Sequence, residues 1–399
     1  MSSVLRDILL DMAIGKNQLF DFDTPVERRA TASLKWDKYR NRDIIPLWVA
    51  DMDFRSPPAV IRALQQRVAY GVFGYTIAPQ ELNDAVVGML KNLYGWEIEA
   101  DWLVWLPGLV TGLNVVCRAL GEKGDDVITA VPVYPPFLTA PGHFQRNLIK
   151  VPLEEKNNHW QFDFDRLERS ITAKTRVFLL CNPHNPVGRV YTRNELETLA
   201  AVCKKHDIVI CSDEIHCGLI LDRDKSHIPM ATLDPDTAAR TIILMAASKT
   251  FNLPGLGCAF AVISEKSLRL RFKKAMAGIV PGVNALGYTA ARAAFEDGDD
   301  WHTALLEYLR GNREIVQTAV RGMPHLSMAP VEATYLAWID MRAAGIRNPT
   351  AFFEDAGVGL QDGIEFDGPG FARLNFGCSR SLLEKALQRM AVALEDHFK

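Results

Sequence analysis

The middle of the chain carries short, nearly continuous apolar runs at 127–131, 148–151, 176–181, 208–212, 241–246 and 259–263, with helical patterns between several of them. A strand with one wet face alternates apolar and polar residues, whereas a run that is apolar almost throughout has both faces covered. A mostly parallel sheet between two layers of helices meets that condition, because parallel neighbours need a crossover that lays a helix on the sheet. The sequence therefore predicts an α/β body. The clearest connecting helix is 193–206, where Thr192 as N-cap and Glu195 three residues on predict a capping box.

The flanks differ in character. The stretch 36–58 is rich in aromatics and prolines, and its core, Leu47 to Phe54, is too irregular for a helix, so it reads as an extended arm. Helical spacing begins at Pro58, stops at Gly71, and resumes over 78–94. The segment 102–112 reads as a strand passing through glycines into a helical pattern at 113–120. Such a junction offers free backbone N–H groups and the positive end of a helix dipole, which suit a phosphate. Beyond about residue 290 long helices at 300–321 and 381–398 alternate with strands at 334–340 and 371–376, and Ser381 with Glu384 predicts another capping box. The expected division is an arm with part of a small domain at 1–57, a large domain at 58–290, and a smaller α+β domain at 291–399.

Charge and cysteine content narrow the function classes. A formal charge of -3 over 399 residues, with no long run of one sign, gives no footprint for nucleic acid. The first 20 residues lack the order of a signal peptide, and no stretch is apolar for long enough to span a bilayer, so a cytoplasmic location is expected. Seven cysteines, an odd number without a CxxC pair, read as reduced core thiols, and no metal site is expected.

Three motifs fall at the ends of successive runs: Asn182-Pro183-His184-Asn185-Pro186, then Ser212-Asp213-Glu214-Ile215-His216, then Ser248-Lys249. Ligands of open α/β sheets sit outside the carboxyl ends of strands. Lys249 is there a candidate carbonyl nucleophile, since partial desolvation frees its amine. Asp213 at the end of a buried strand needs a partner, and a pyridinium N–H would supply one. The prolines make the asparagine loop rigid and fix where the Asn185 amide points.

Lysine, aspartate and asparagine in this order resemble the fold type I pyridoxal 5'-phosphate enzymes of the aminotransferase superfamily, over nearly the whole chain. The resemblance implies a large domain with a mostly parallel sheet sandwiched by helices, plus a smaller α+β domain. It implies that Lys249 carries the cofactor as a Schiff base, that Asp213 pairs with its ring nitrogen, and that Asn185 bonds its ring oxygen. Tyr134 matches the aromatic that stacks on the ring. The backbone at Leu109 and Val110, with the Ser248 hydroxyl, matches the phosphate cradle. Tyr75 matches a tyrosine that reaches the phosphate from a second subunit, which implies a homodimer with shared sites. Arg373 falls where the substrate carboxylate is held, and a planar guanidinium grips a carboxylate with two parallel hydrogen bonds.

Two departures select a branch. Gly257 stands where the superfamily often has an arginine on the phosphate, and His216 stands where a tyrosine often assists at the ring oxygen. His216 either donates to that oxygen or is simply satisfied among its neighbours. Together with Trp48-Val49-Ala50-Asp51-Met52-Asp53-Phe54 and His184, these features resemble the MalY/PatB-type cystathionine β-lyases. The implied reaction is α,β-elimination of L-cystathionine or a related cysteine S-conjugate to thiol, pyruvate and ammonia. An aminotransferase is the first rival reading, and a protein of this fold with a mainly regulatory binding role is the second.

Overall fold

The computed structural model describes residues 20–399, so the expectation on the segment before them lies outside the described residues. Helices α1 (Pro58–Tyr70) and α2 (Gln80–Tyr94) lead into strand β1 (Leu103–Leu106), helix α3 (Leu109–Ala119) and strand β2 (Asp126–Val131). The body continues through helix α4 (Pro135–His143), β3 (Asn147–Pro152), β4 (Thr175–Cys181), helix α5 (Arg193–Lys205), β5 (Val209–Asp213), β6 (Thr241–Met245) and β7 (Ala259–Val262). These seven strands form one sheet in the order β1-β7-β6-β5-β4-β2-β3, in which only β7 runs antiparallel to its neighbours.

Both faces of this sheet are covered, as the apolar runs require. Alternate residues of a strand point to opposite faces. Ile243 packs with Ile210, Phe178 and Leu199 on one side, while Ile242 and Leu244 pack with Leu113 and Val116 of α3 on the other. Each such fully buried side chain stabilises the fold by about 1.5–3 kcal/mol. Helix α3 starts at Leu109, four residues before the apolar spacing suggested, because Gly112 is accommodated inside it. A Cβ there would lie 2.9 Å from a methyl of Leu244, so the absent side chain lets α3 close on β6.

The rest, apart from its first helix, which lies against α1 and α2, forms a second body. Helices α6 (Ala285–Asp297) and α7 (Asp299–Gly322) precede an antiparallel sheet of β8 (Ser327–Met328), β9 (Leu336–Asp340), β10 (Gln361–Asp362) and β11 (Phe371–Asn375), in the order β8-β9-β11-β10. Helix α8 (Arg380–His397) closes the chain. The arm joins this body: Ile45–Pro46 pairs in parallel with Val358–Gly359, and Phe22 sits against Tyr308 and Trp301 of α7.

The capping box at Thr192 and Glu195 is present, with Thr192 accepting from Glu195 N and Glu195 accepting from Thr192 N. The box expected from Ser381 and Glu384 is absent. Helix α8 begins one residue earlier with Ser379 as N-cap, which makes no side-chain capping bond. Ser381 therefore already lies in the first turn, its hydroxyl 3.3 Å from that of Ser379. The helix start is tied instead by Arg380 N donating to the Tyr308 hydroxyl at 2.9 Å.

Candidate active site

Strand register sets the floor of the site. Cys181 pairs with Asp213 and Asp213 with Leu244, so β4, β5 and β6 end side by side. The three motifs leave the sheet at this edge and enclose a cavity of about 390 Å³ lined by Asn185, Asp213, His216, Ser248 and Lys249 together with Leu109, Val110, Tyr134, Gly257 and Arg373. Every residue expected to hold cofactor or substrate lies here except Tyr75, which is fully exposed and outside this chain's cavity, while His184 of the asparagine motif stands behind the lining.

The asparagine loop is pinned by His184. Its Nε2 lies 2.7 Å from Pro132 O, which can only accept, so Nε2 carries the proton and Nδ1 accepts from the Tyr191 hydroxyl at 2.8 Å. Burial drives its pKa down to about 4, which keeps that neutral tautomer. The same logic orients Asn185. Arg373 Nη1 donates to its Oδ1 at 3.0 Å, and a guanidinium has no acceptor, so the amide NH₂ faces away from Arg373. Asn185 lines the cavity with that donor free for a ring oxygen.

Arg373 sits on β11, only 2% exposed, above the ring of Phe366 at 4.7 Å. It donates also to Trp48 O at 3.0 Å and to Gln361 Oε1, and its Nε is buried without a partner. Burial lowers its pKa to about 10, so it stays protonated. Gln361 lines the cavity, and sequence reasoning did not find it. Another omission is the wall made by Val49 and Ala50. That stretch was legible as an irregular arm, but the carbonyl that matters has no side-chain signature.

Burial sets the charges. Asp213, 4% exposed, is raised to about 7 by burial, which outweighs the bond it accepts from Ile215 N at 3.1 Å; Glu214 raises it further and Lys249 opposes. Lys249 is lowered to about 8 by burial and then by the charge of Arg373, with Asp51 and Asp213 pulling the other way. Burial, with Lys249 and Arg373, holds His216 well below its ordinary range, so its ring is neutral. Its Nδ1 is buried without a partner. Of the two readings left open for His216, satisfaction by protein neighbours does not hold at this atom.

At the other end of the cavity the first turn of α3 presents its N–H groups from Leu109 onward. Gly257 closes this end at φ 58, in the left-handed region, where a Cβ would stand 3.1 Å from Pro107 O. A side chain there would crowd the space between the α3 terminus and Ser248. Phosphate, an aromatic ring with a protonated nitrogen and a hydroxyl-like oxygen, and an aldehyde all find complementary groups here. The residues present fit pyridoxal phosphate.

The chain belongs to the aminotransferase class I and II family, whose model matches residues 42–390. Within it, the chain is 36% identical to cystathionine beta-lyase PatB of Bacillus subtilis, an alignment covering 94% of this chain and 100% of that protein. Among solved structures it is similar to OvoB, with 46% identity and a TM-score of 0.92 over 94% of this chain and 99% of the other. It is also similar to the pyridoxal-phosphate-bound C-S lyase of Staphylococcus hominis, with 32% identity and a TM-score of 0.88 over 94% and 98%.

Proposed function

We propose that this chain is a pyridoxal 5'-phosphate-dependent carbon-sulfur β-lyase that cleaves L-cystathionine or a related cysteine S-conjugate to a thiol, pyruvate and ammonia. The observation that carries the reading is the convergence of Lys249, Asp213, Asn185 and Arg373 on one cavity over the start of α3. Full-length similarity to a cystathionine beta-lyase selects the reaction among those the family performs.

In this reading Lys249 holds the cofactor through its amine, and Asp213 faces the ring nitrogen. The NH₂ of Asn185 addresses the ring oxygen, with the neutral His216 ring on the same cavity wall, Tyr134 lies on the ring face, and the N–H groups of Leu109 and Val110 with the Ser248 hydroxyl take the phosphate. When bound, the cofactor supplies an electron sink for negative charge developing on the substrate's α-carbon. Asp213 serves that sink only while charged; a positive N–H beside it favours the carboxylate over the protonated form that burial alone favours. Arg373 grips the substrate carboxylate, exchanging its bonds to Trp48 O and Gln361 Oε1 for the fork to two carboxylate oxygens. Freed when the substrate's own amine takes its place on the cofactor, Lys249 Nζ, with a pKa of about 8, would have a useful neutral fraction near neutrality to take the α-proton and could return it to the departing sulfur.

The proposal extends to a homodimer. Val68, Tyr70, Val72, Phe73, Tyr75 and Ile77 are all exposed along one short stretch, beside a cleft of about 770 Å³ between α1 and α6. A contiguous apolar surface of this kind suits a second copy, and Tyr75 of the partner subunit would complete the phosphate site. A cytoplasmic location and the division at about 57 and 290 are proposed with it. Among the described residues no helix is long and apolar enough to cross a membrane.

The test is incubation of purified protein with L-cystathionine and no keto-acid acceptor, following pyruvate and free thiol. Stoichiometric release of both is expected. Activity that appears only when an acceptor is added would make the protein an aminotransferase.

A further inference from the structure

Two donors, the half-buried Lys249 and the buried Tyr335, converge on one backbone oxygen. Lys249 Nζ donates to Ala50 O at 2.5 Å, and the Tyr335 hydroxyl donates to the same atom at 3.0 Å. Tyr335 is 1% exposed, and a buried phenol holds on to its hydrogen bond. The carbonyl cannot drift toward one donor, because its segment is clamped on both sides. Asn375 Nδ2 donates to Val49 O at 2.7 Å and Asp51 O at 2.8 Å, and Met52 N donates to Asn252 Oδ1 at 3.0 Å.

A carbonyl oxygen accepts through two lone pairs, and density drawn toward one donor is less available to the other. An ammonium gains more from a strong acceptor than a neutral amine does, because its hydrogen bond is charge-assisted. A second donor on the same oxygen therefore weakens the hold on the protonated lysine. We propose that Tyr335 is a positioning residue that sets how readily Lys249 gives up its proton, by sharing the Ala50 carbonyl with it. The inference rests on Lys249 being the cofactor-binding amine.

The other groups around Lys249 are Asp213 at the end of β5, Asp51 from the arm and Arg373 from β11, with neutral His216 and the phenol of Tyr134 on the cavity wall. Replacing Tyr335 by phenylalanine keeps every one of these side chains and removes a single hydroxyl, which lies near Asp51 and Arg373 as well as on the Ala50 carbonyl. A shift in the lysine's titration then reports the lost hydroxyl.

The experiment follows uptake of pyridoxal phosphate by the full-length apo chain, by absorbance, as a function of pH. Uptake needs the neutral amine, so its rate rises with pH around a midpoint near the lysine's pKa of about 8. Tyr335→Phe raises that midpoint by about half a unit to one unit, and the acid limb of the holoenzyme's kcat profile moves with it. A fluorinated tyrosine at 335, a stronger donor, moves the midpoint down. Opposite shifts in the two variants support the proposal. An unmoved midpoint in either variant with a native circular dichroism spectrum overturns it, and the fluorinated protein decides alone if the phenylalanine variant does not fold. Failure of the parent chain to take up the cofactor at any pH sinks the β-lyase reading and this inference together, whereas uptake with unmoved midpoints sinks only this inference.

Discussion

Exchanging Arg373 for lysine and for leucine separates charge from shape at the substrate carboxylate. The guanidinium is held over the ring of Phe366, with Nη1 directed by Asn185 Oδ1 and Nη2 by Trp48 O, both at 3.0 Å. Lysine keeps one charge-assisted bond and loses the parallel second one, a loss of about 1.5–3 kcal/mol. That corresponds to roughly 10- to 150-fold in kcat/KM. Leucine loses both bonds and the charge, for roughly 10²- to 10⁴-fold. Because the carboxylate is gripped alike before and during reaction, both losses appear chiefly in KM. Leucine has a second effect: Asn185 loses the donor that orients its amide, so the cofactor's absorbance band shifts in the leucine variant. The assay is steady-state pyruvate release from L-cystathionine at saturating cofactor, with circular dichroism to verify the fold. An unchanged KM in a folded leucine variant would falsify the carboxylate assignment, and equal losses for lysine and leucine would refute the two-bond argument.

Two further outcomes are expected. Asp53 accepts from Lys35 Nζ at 2.8 Å, Trp36 Nε1 at 2.8 Å and Arg28 Nη1 at 2.6 Å, and Lys35 is 0% exposed. Asp53→Ala strands that ammonium and destabilises the fold by about 3–5 kcal/mol; adding Lys35→Met restores much of the loss in urea unfolding, and a double variant no more stable than the single one contradicts the reasoning. Folded Asp213 holds its proton up to about pH 7, against 3.8 for the ordinary group, so the apo chain binds the extra proton in that window and its stability falls as pH rises through it. Asp213→Asn removes this loss: the apo variant melts above the parent at neutral pH and binds pyridoxal phosphate more weakly, and melting curves that coincide across the window would count against a buried, proton-holding aspartate.

What the sequence disclosed followed from chemistry carried by side chains. The strands were legible because residues such as Ile242 and Ile243 face two apolar layers, which leaves an unbroken apolar run. Lys249, Asp213 and Asn185 were legible because polar residues at the ends of such runs stand out, and Arg373 through the resemblance. Ala50 O and Gln361 were not legible. One is a backbone atom, and the other matters through a guanidinium on the neighbouring strand. The misplaced cap at Ser381 has a similar origin: the spacing to Glu384 was correct, but the Tyr308 hydroxyl, 72 residues earlier, ties down Arg380 N.

The wall beside Lys249 is built from the beginning of the chain and clamped by its end. Leu47 O accepts from Asn375 N at 2.9 Å, Trp48 O from Arg373, Val49 O and Asp51 O from the Asn375 side chain, and Asp53 N donates to Gly377 O at 2.8 Å. These contacts join residues more than 320 positions apart. During synthesis the sheet that carries Lys249, Asp213 and Asn185 emerges long before the strand that closes the cavity over them. A nascent chain thus holds Lys249, Asp213 and Asn185 well before Arg373 and Asn375, which fix the cavity wall and charge it, have been joined.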